Sequence, residues 1–367
     1  MQADEKAGRG AVDFAEKVLM LLDQGSFVAT YKFAVLIGLI DLCMEKTKQD
    51  GGAPEVLTTR QLAEKIVELY WPQVMLYREK TLRQNSGKQA KILNDILAFR
   101  GRLPDFSISL EKARRTDEAN YKRLILDVEW TLILMPLPRL QFIGSKPVPL
   151  IYDIGWDRSI DRQKRKVREY QAGVGDRFDN RILLFPNAGN YLVMLNGLLR
   201  PLIYRQWAAM VARFNDIEES KLEEFLFGTD RIALEPVRSG LVELQETRCF
   251  YCDSIIRGTA QIDHFIPWVR YPNNAIENLV ASDSRCNSKK RDFLVSGDHL
   301  RHWMARNRSN EQVLTEIAAL KQWEMHPPES LSVARSIYLK LPGGVPLWVA
   351  GDSFTPAEPD ELQKVLA

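Results

Sequence analysis

Three of the four cysteines of this 367-residue chain, Cys249, Cys252 and Cys286, crowd into one short stretch that also carries Asp263-His264. Cys249-Phe250-Tyr251-Cys252 has the spacing of a metal knuckle, and a third thiol downstream strengthens that reading over a disulfide framework. Ligands of one ion must converge, so this stretch constrains the fold more tightly than any other part of the chain. The remaining cysteine, Cys43, lies in an apolar run and reads as core. A redox role for the Cys-x-x-Cys pair would need a thioredoxin-like strand-to-helix context, and none is evident.

Charged residues make up 27% and hydrophobic residues 45% of the sequence, ordinary values for a soluble globular protein of two or three domains. The formal net charge is only +2, so any affinity for nucleic acid must come from local patches. Met1 to Lys6 is polar and lacks the core of a signal peptide. The most apolar run, Phe33 to Met44, is preceded by Lys32 and broken by Asp41; it is too short to span a bilayer and reads as a buried helix. The expectation is a cytoplasmic protein with no membrane partner.

The pattern along the chain predicts an α+β, mainly helical, multi-domain architecture. Phe14, Val18, Leu21 and Leu22 recur at helical spacing. Thr58-Thr59-Arg60-Gln61 fits a capping box, followed by Leu62, Ile66, Leu69 and Tyr70 on one helix face. Lys88 to Arg100 is a further helix. From Leu124 to Trp156 the apolar runs are short and bounded by prolines, so Thr131 to Leu134 and Pro149 to Tyr152 are read as strands or extended segments. Tyr191 to Phe214 is helical with a kink or break at Pro201. Helices are also expected at Leu222 to Phe227, Pro236 to Glu246, Asn310 to Trp323 and Ser330 to Leu341, with a turn at Pro342-Gly343-Gly344. The basic run Arg162 to Arg168 is most simply a solvated face, with contact to DNA as the alternative.

Asp263 is a hard oxygen ligand suited to Mg²⁺ or Mn²⁺. His264 beside it has an unperturbed pKa near working pH, which suits a general base acting on water. Neighbours on a regular strand point to opposite faces, so if both serve one centre the chain must leave the pleat there, and Pro267 is consistent with a strand ending. Asn287, just beyond a cap at Asp283 or Ser284, belongs in the first turn of a helix, where its amide oxygen is a second ligand. Lys289, Lys290 and Arg291 follow it and are placed to contact phosphate. Asn278 lies between the two and suits a loop-holding amide. Such a set can turn water against a phosphodiester, with one divalent cation serving both the phosphate and the leaving oxygen.

The stretch from about Leu241 to Leu300 resembles an HNH endonuclease, the ββα-metal fold. Asp263-His264 matches the first motif, Asn278 the middle asparagine and Asn287 the last position; Leu241 and Gln245 before Cys-x-x-Cys and the Cys-Asn-x-x-Lys run at 286–290 are similar too. The resemblance implies that Asp263 and Asn287 hold the catalytic cation, His264 activates water and Asn278 orients the loop. Many members carry two Cys-x-x-Cys pairs around a structural zinc; here the second reads Asp283-x-x-Cys286. Cys249, Cys252, Cys286 and Asp283 still suffice for a tetrahedral zinc, His299 or His302 being substitutes for the carboxylate, and simple packing of the thiols being the alternative.

The expected organisation is a mainly helical region at 1–235 for binding, regulation or assembly, an HNH nuclease domain at 236–305 and a helical extension at 306–367. The expected activity is metal-dependent hydrolysis of DNA, in bacterial defence or restriction, with RNA open because the chemistry reads phosphate and not sugar. The rivals are a nuclease subunit active only in a larger defence complex and a non-catalytic, zinc-supported nucleic-acid-binding module. Double-strand cutting by a single site would call for a homodimer.

Overall fold

The structure, a computed structural model, describes residues 2–24, 28–87, 89–174, 178–219, 222–228 and 233–367. Met1 and Lys88 lie outside the described residues. The chain is an α+β mix, mainly helical with small sheets. It divides into two compact units, one of Met1–Cys43 with Pro54–Gly228 and one of Met44–Ala53 with Thr229–Ala367. No helix among the described residues is long and apolar enough to cross a membrane.

The first unit contains α1 (Gln2–Gln24), α2 (Tyr31–Glu45, its last two residues falling in the second unit), β1 (Val56–Thr58), α3 (Thr59–Tyr70), α4 (Lys91–Arg100), α5 (Leu110–Thr116) and α6 (Glu118–Leu134). It continues with β2 (Phe142–Ile143), β3 (Lys146–Pro147), β4 (Tyr152–Ile154), α7 (Lys164–Gln171), β5 (Arg181–Leu184), α8 (Ala188–Met194), α9 (Asn196–Asn215) and α10 (Leu222–Phe227). The capping box opening α3 forms: Gln61 N donates to Thr58 Oγ1 at 3.2 Å and Thr58 N to Gln61 Oε1 at 3.0 Å. β5 sits between β1 and β4 in an antiparallel sheet. Asp41, which interrupts the apolar run of α2, is buried against the guanidinium of Arg200, so the charge is paired. Glu129 is likewise fully buried, accepting from Thr59 Oγ1 (2.8 Å), Arg60 Nη2 (2.8 Å) and Tyr170 OH (3.0 Å).

One expectation fails in this unit and two are narrowed. Thr131 to Leu134 is not a strand but the last turn of α6, which starts at an Asp117 cap and buries Tyr121, Leu124, Ile125, Val128 and Leu132 at helical spacing. Pro136 follows as a helix stop rather than a strand boundary. Of the two alternatives at Pro201, a kink or a break, the break is excluded: Pro201 lies inside α9, and the interruption falls at Leu195, between α8 and α9. Of Pro149 to Tyr152, only Tyr152 belongs to a strand. Arg162, Lys164, Arg165 and Arg168 are exposed, with Arg165 paired to Glu169 at 2.8 Å.

The second unit contains α11 (Glu235–Leu244), β6 (Gln261–His264), β7 (Leu279–Ser282), α12 (Ser284–Lys290), α13 (Gly297–Ser309), α14 (Glu311–Lys321), α15 (Pro327–Tyr338), β8 (Pro346–Ala350), β9 (Ser353–Pro356) and α16 (Pro359–Leu366). β6 and β7 pair antiparallel, Asp263 opposite Val280 and His264 opposite Leu279, and α12 follows at once, a ββα order. β7 is buried throughout, which is why Leu279-Val280-Ala281-Ser282 carries no charge. The amide of Gln245, just past α11, docks on β7 by accepting from Ala281 N and donating to Ala281 O, both at 2.8 Å. Behind the strands Trp303 of α13 stacks on Phe265 (centroids 4.8 Å apart) and donates to Glu277 O at 2.7 Å. Burying a phenylalanine this completely contributes about 1.5–3 kcal/mol. Residues beyond 305 share this core: Tyr338 OH accepts from Val295 N at 3.1 Å, and Ser330 Oγ donates to Glu277 Oε1 at 2.6 Å.

Candidate active site and metal cluster

The three clustered thiols come together. Donor atoms of Cys249, Cys252, Cys286 and Asp283 all lie within 4.8 Å of one another. Cys249 and Cys252 come from the turn after α11, while Asp283 and Cys286 belong to the start of α12. Asp283 is the N-cap: its Oδ1 accepts from Cys286 N at 2.8 Å, and its Oδ2 meets Cys252 Sγ at 3.2 Å. One carboxylate oxygen therefore caps the helix while the other faces the thiols. Burial pushes the Cys249 thiol up to about 11 and Cys286 higher still. Burial also works against the charge of Asp283, but bonds from the surrounding thiols and Cys286 N outweigh it and hold that carboxyl well below its usual value. Three thiolates and a carboxylate packed this closely repel one another when ionised, and a divalent cation relieves that repulsion. The donor set fits zinc. His299 and His302 take other partners, His299 Nε2 meeting Val349 O at 2.7 Å and His302 stacking on Phe250 at 4.5 Å.

Asp263 and His264 end β6 with separate sets of partners. Asp263 Oδ2 accepts from Tyr251 OH at 2.5 Å and forms an ion pair with Lys290 Nζ at 2.9 Å; its Oδ1 has no hydrogen bond among the described residues. His264 Nε2 lies 2.8 Å from Asn274 Oδ1, with the Trp268 ring 5.4 Å away. With Nε2 donating to that carbonyl oxygen, Nδ1 is left as the basic nitrogen. Burial lowers the imidazole below its usual value, offset in part by the Asn274 bond and the nearby Asp263. Lys290 ties the two neighbours together, since Nζ also donates to the main-chain oxygen of His264 at 2.8 Å.

Asn278 is fully buried. Its Oδ1 accepts from Ile266 N at 2.8 Å, and its Nδ2 donates to Ile266 O at 3.3 Å and to Asn273 O at 3.0 Å. This amide brackets the chain where it leaves the pleat after His264. Asn287 lies in α12, half-buried, and its side chain makes no hydrogen bond among the described residues. It shares a helix face with Lys290, three residues on. Lys290 reaches Asp263, so that face is turned to β6.

One predicted role fails on burial. Lys290 was expected to meet phosphate with Lys289 and Arg291, yet its side chain has no exposure and is committed to Asp263 and the His264 carbonyl. The helical period turns the middle of the three basic residues inward. Lys289 and Arg291 remain exposed, Lys289 Nζ pairing with Asp352 at 2.7 Å. Two participants went unread in the sequence. Asn274 was signalled only by the Asn273-Asn274 doublet ahead of Asn278, and Tyr251 only by its place inside Cys-x-x-Cys.

A family model described as a domain of unknown function, DUF8808, matches residues 10–226, more than half of the chain. The chain belongs to the DUF8808 family. A second model, described as HNH endonuclease, matches residues 249–295, the stretch that holds the thiol cluster, Asp263, His264, Asn278 and Asn287. This DUF8808 protein therefore carries an HNH domain after its DUF8808 region. At family level such a domain is a divalent-metal nuclease acting on nucleic acid. Comparison with curated proteins and with solved structures yields no match.

Proposed function

We propose that the HNH domain of this protein is a metal-dependent endonuclease that hydrolyses DNA phosphodiester bonds, with His264 as general base. The observation that carries this reading is the pair at the end of β6: an imidazole fixed through Nε2 by Asn274, immediately after a carboxylate with one oxygen unbonded among the described residues. His264 Nδ1 takes the proton of a water that attacks phosphorus in line with the departing 3′-oxygen. A Mg²⁺ or Mn²⁺ ion held by Asp263 and Asn287 would supply stabilisation of the charge that builds on the phosphate and the departing oxygen. Asn278 holds the loop that fixes His264, and Lys289 and Arg291 meet the backbone phosphates. Zinc on Cys249, Cys252, Asp283 and Cys286 would staple the knuckle to α12. Full-length protein is expected to nick plasmid in Mg²⁺ and His264→Ala to lose that activity; nicking by His264→Ala at the parental rate overturns the reading. Elemental analysis should find zinc in the parent and less in Cys252→Ser, and a zinc-free parent removes that part.

The DUF8808 region spans more than half of the chain and, apart from residues 44–53, falls in the first compact unit, which favours control of cutting within a defence assembly. Under that reading the isolated chain is silent until a partner or small ligand relieves it. A non-catalytic binding module would instead hold DNA in EDTA and never nick it.

A further inference from the structure

Tyr251 sits between the two thiols of the Cys249/Cys252 pair, yet its hydroxyl belongs to the other centre. The ring is buried edge-on against Trp348 (5.2 Å) and His299 (5.5 Å), and the OH donates to Asp263 Oδ2 at 2.5 Å. A carboxylate oxygen can only accept, so the phenol is the donor of this bond. The other grip on Oδ2 is Lys290 at 2.9 Å, and Lys290 lies on α12, the helix capped by Asp283. Both groups that hold Asp263 thus hang from backbone gathered by the thiol–carboxylate cluster, one from the knuckle and one from the helix. With Oδ2 held twice, Oδ1 is the oxygen without a bond among the described residues.

We propose that Tyr251 is a positioning residue for the cutting centre: by fixing the Asp263 carboxylate from within the cysteine knuckle, it makes the affinity of Asp263 for its divalent cation depend on occupancy of the Cys249, Cys252, Cys286 and Asp283 cluster. This rests on the reading of Asp263 as a ligand of the catalytic cation. Partners that orient a ligand in this way typically set metal affinity by about 10–100-fold. Tyr251 itself touches neither ion nor substrate; it acts through the carboxylate.

The test is a Mn²⁺ titration of full-length protein without nucleic acid, reading free Mn²⁺ by electron paramagnetic resonance, with zinc measured by elemental analysis on the same samples. Tyr251→Phe should keep the parental zinc content and bind Mn²⁺ about tenfold more weakly. Its nicking should need more Mg²⁺ for half-saturation while recovering the parental maximal rate. Cys252→Ser, at an exposed position, should lose zinc and Mn²⁺ affinity together, and it carries the test should Tyr251→Phe fail to fold. Parental Mn²⁺ affinity in Tyr251→Phe, or zinc loss in Cys252→Ser with Mn²⁺ affinity unchanged, overturns the proposal. Asp263→Ala separates the two levels. If it abolishes Mn²⁺ binding while Tyr251→Phe titrates like the parent, only the role of Tyr251 falls. If it binds Mn²⁺ like the parent, the ligand assignment falls and the role of Tyr251 with it.

Discussion

Lys290 Nζ lies 2.9 Å from Asp263 Oδ2, with the lysine side chain wholly buried and the aspartate nearly so. A buried pair of this kind is a poor source of net stability but an expensive one to break, because the partner left behind keeps its charge out of water. Lys290→Met should therefore destabilise the second unit by about 3–5 kcal/mol. The check is the urea midpoint of the variant against the parent. A shift under about 1 kcal/mol would mean that Lys290 is exposed in solution and free to meet phosphate, as its place in a basic run suggests.

Lys289 and Arg291 carry the opposite expectation. Both are exposed, so alanine at either should change stability by less than about 0.5 kcal/mol. If they neutralise phosphates, each removal should weaken DNA binding across sequences and lower the salt dependence of log K by about 0.9. Binding measured at several salt concentrations decides it, and an unchanged slope in Arg291→Ala removes that residue from the interface.

How much of this was legible in the sequence depended on whether a residue's partner was near in the chain. The Thr58 box and the Asp283 cap are local bonds, three residues long; residue types alone gave the first and narrowed the second to Asp283 or Ser284. The three thiols of the cluster were legible for another reason: few side chains suit a soft cation, so type substituted for distance, while the fourth donor stayed open between Asp283 and a histidine. Lys290 was misread because Lys289-Lys290-Arg291 looks uniform until a helix is wound and one member turns inward. Thr131 to Leu134 was misread because four apolar residues fit either period, and the decisive pattern begins ten residues earlier at Tyr121. Asn274 and Tyr251 are ordinary polar residues whose partners lie ten and twelve residues away, and only the Asn273-Asn274 doublet and the Cys-x-x-Cys frame mark them.

Asn274 is expected to matter for rate and little for stability. Its amide oxygen holds the His264 ring nitrogen, while its main-chain oxygen independently accepts from Trp323 Nε1 at 2.6 Å. Asn274→Ala keeps that main-chain bond and frees the imidazole to rotate. Misplacing a catalytic group by about an ångström costs on the order of 100-fold, so nicking should fall by about 10–100-fold with DNA affinity unchanged. A parental rate in Asn274→Ala would show that the imidazole is held by other means.

Glu277 gives a pH signature. Burial raises its carboxyl above the ordinary value, only partly offset by the bond from Ser330, and Oε2 is buried with no hydrogen bond among the described residues. The folded protein therefore holds this proton to higher pH than the unfolded chain. The contribution to stability is complete below the unfolded value of about 4.5 and is lost as pH rises through the folded value. Glu277→Gln removes that loss, so the stability of the variant relative to the parent should rise with pH from about 4.5 and then level off. Urea unfolding of both proteins across that range is the measurement, and a difference independent of pH would contradict the raised carboxyl.

Asn278 separates a structural asparagine from a substrate-binding one. Its three bonds close the loop between β6 and β7 upon Ile266 and Asn273, and it has no exposure through which to meet a ligand. Asn278→Ala leaves Ile266 N–H buried and unpaired, at a cost of about 1–3 kcal/mol. Asn278→Asp keeps the acceptor for Ile266 N but turns a negative oxygen toward two main-chain carbonyls, so it should destabilise at least as much despite its closer shape. Both variants should also speed amide exchange at Ile266 and lower nicking, since the loop fixes the chain just beyond His264. If Asn278→Ala instead abolished nicking while keeping parental stability and exchange, the asparagine would be acting on substrate directly, and the loop-holding account would be wrong.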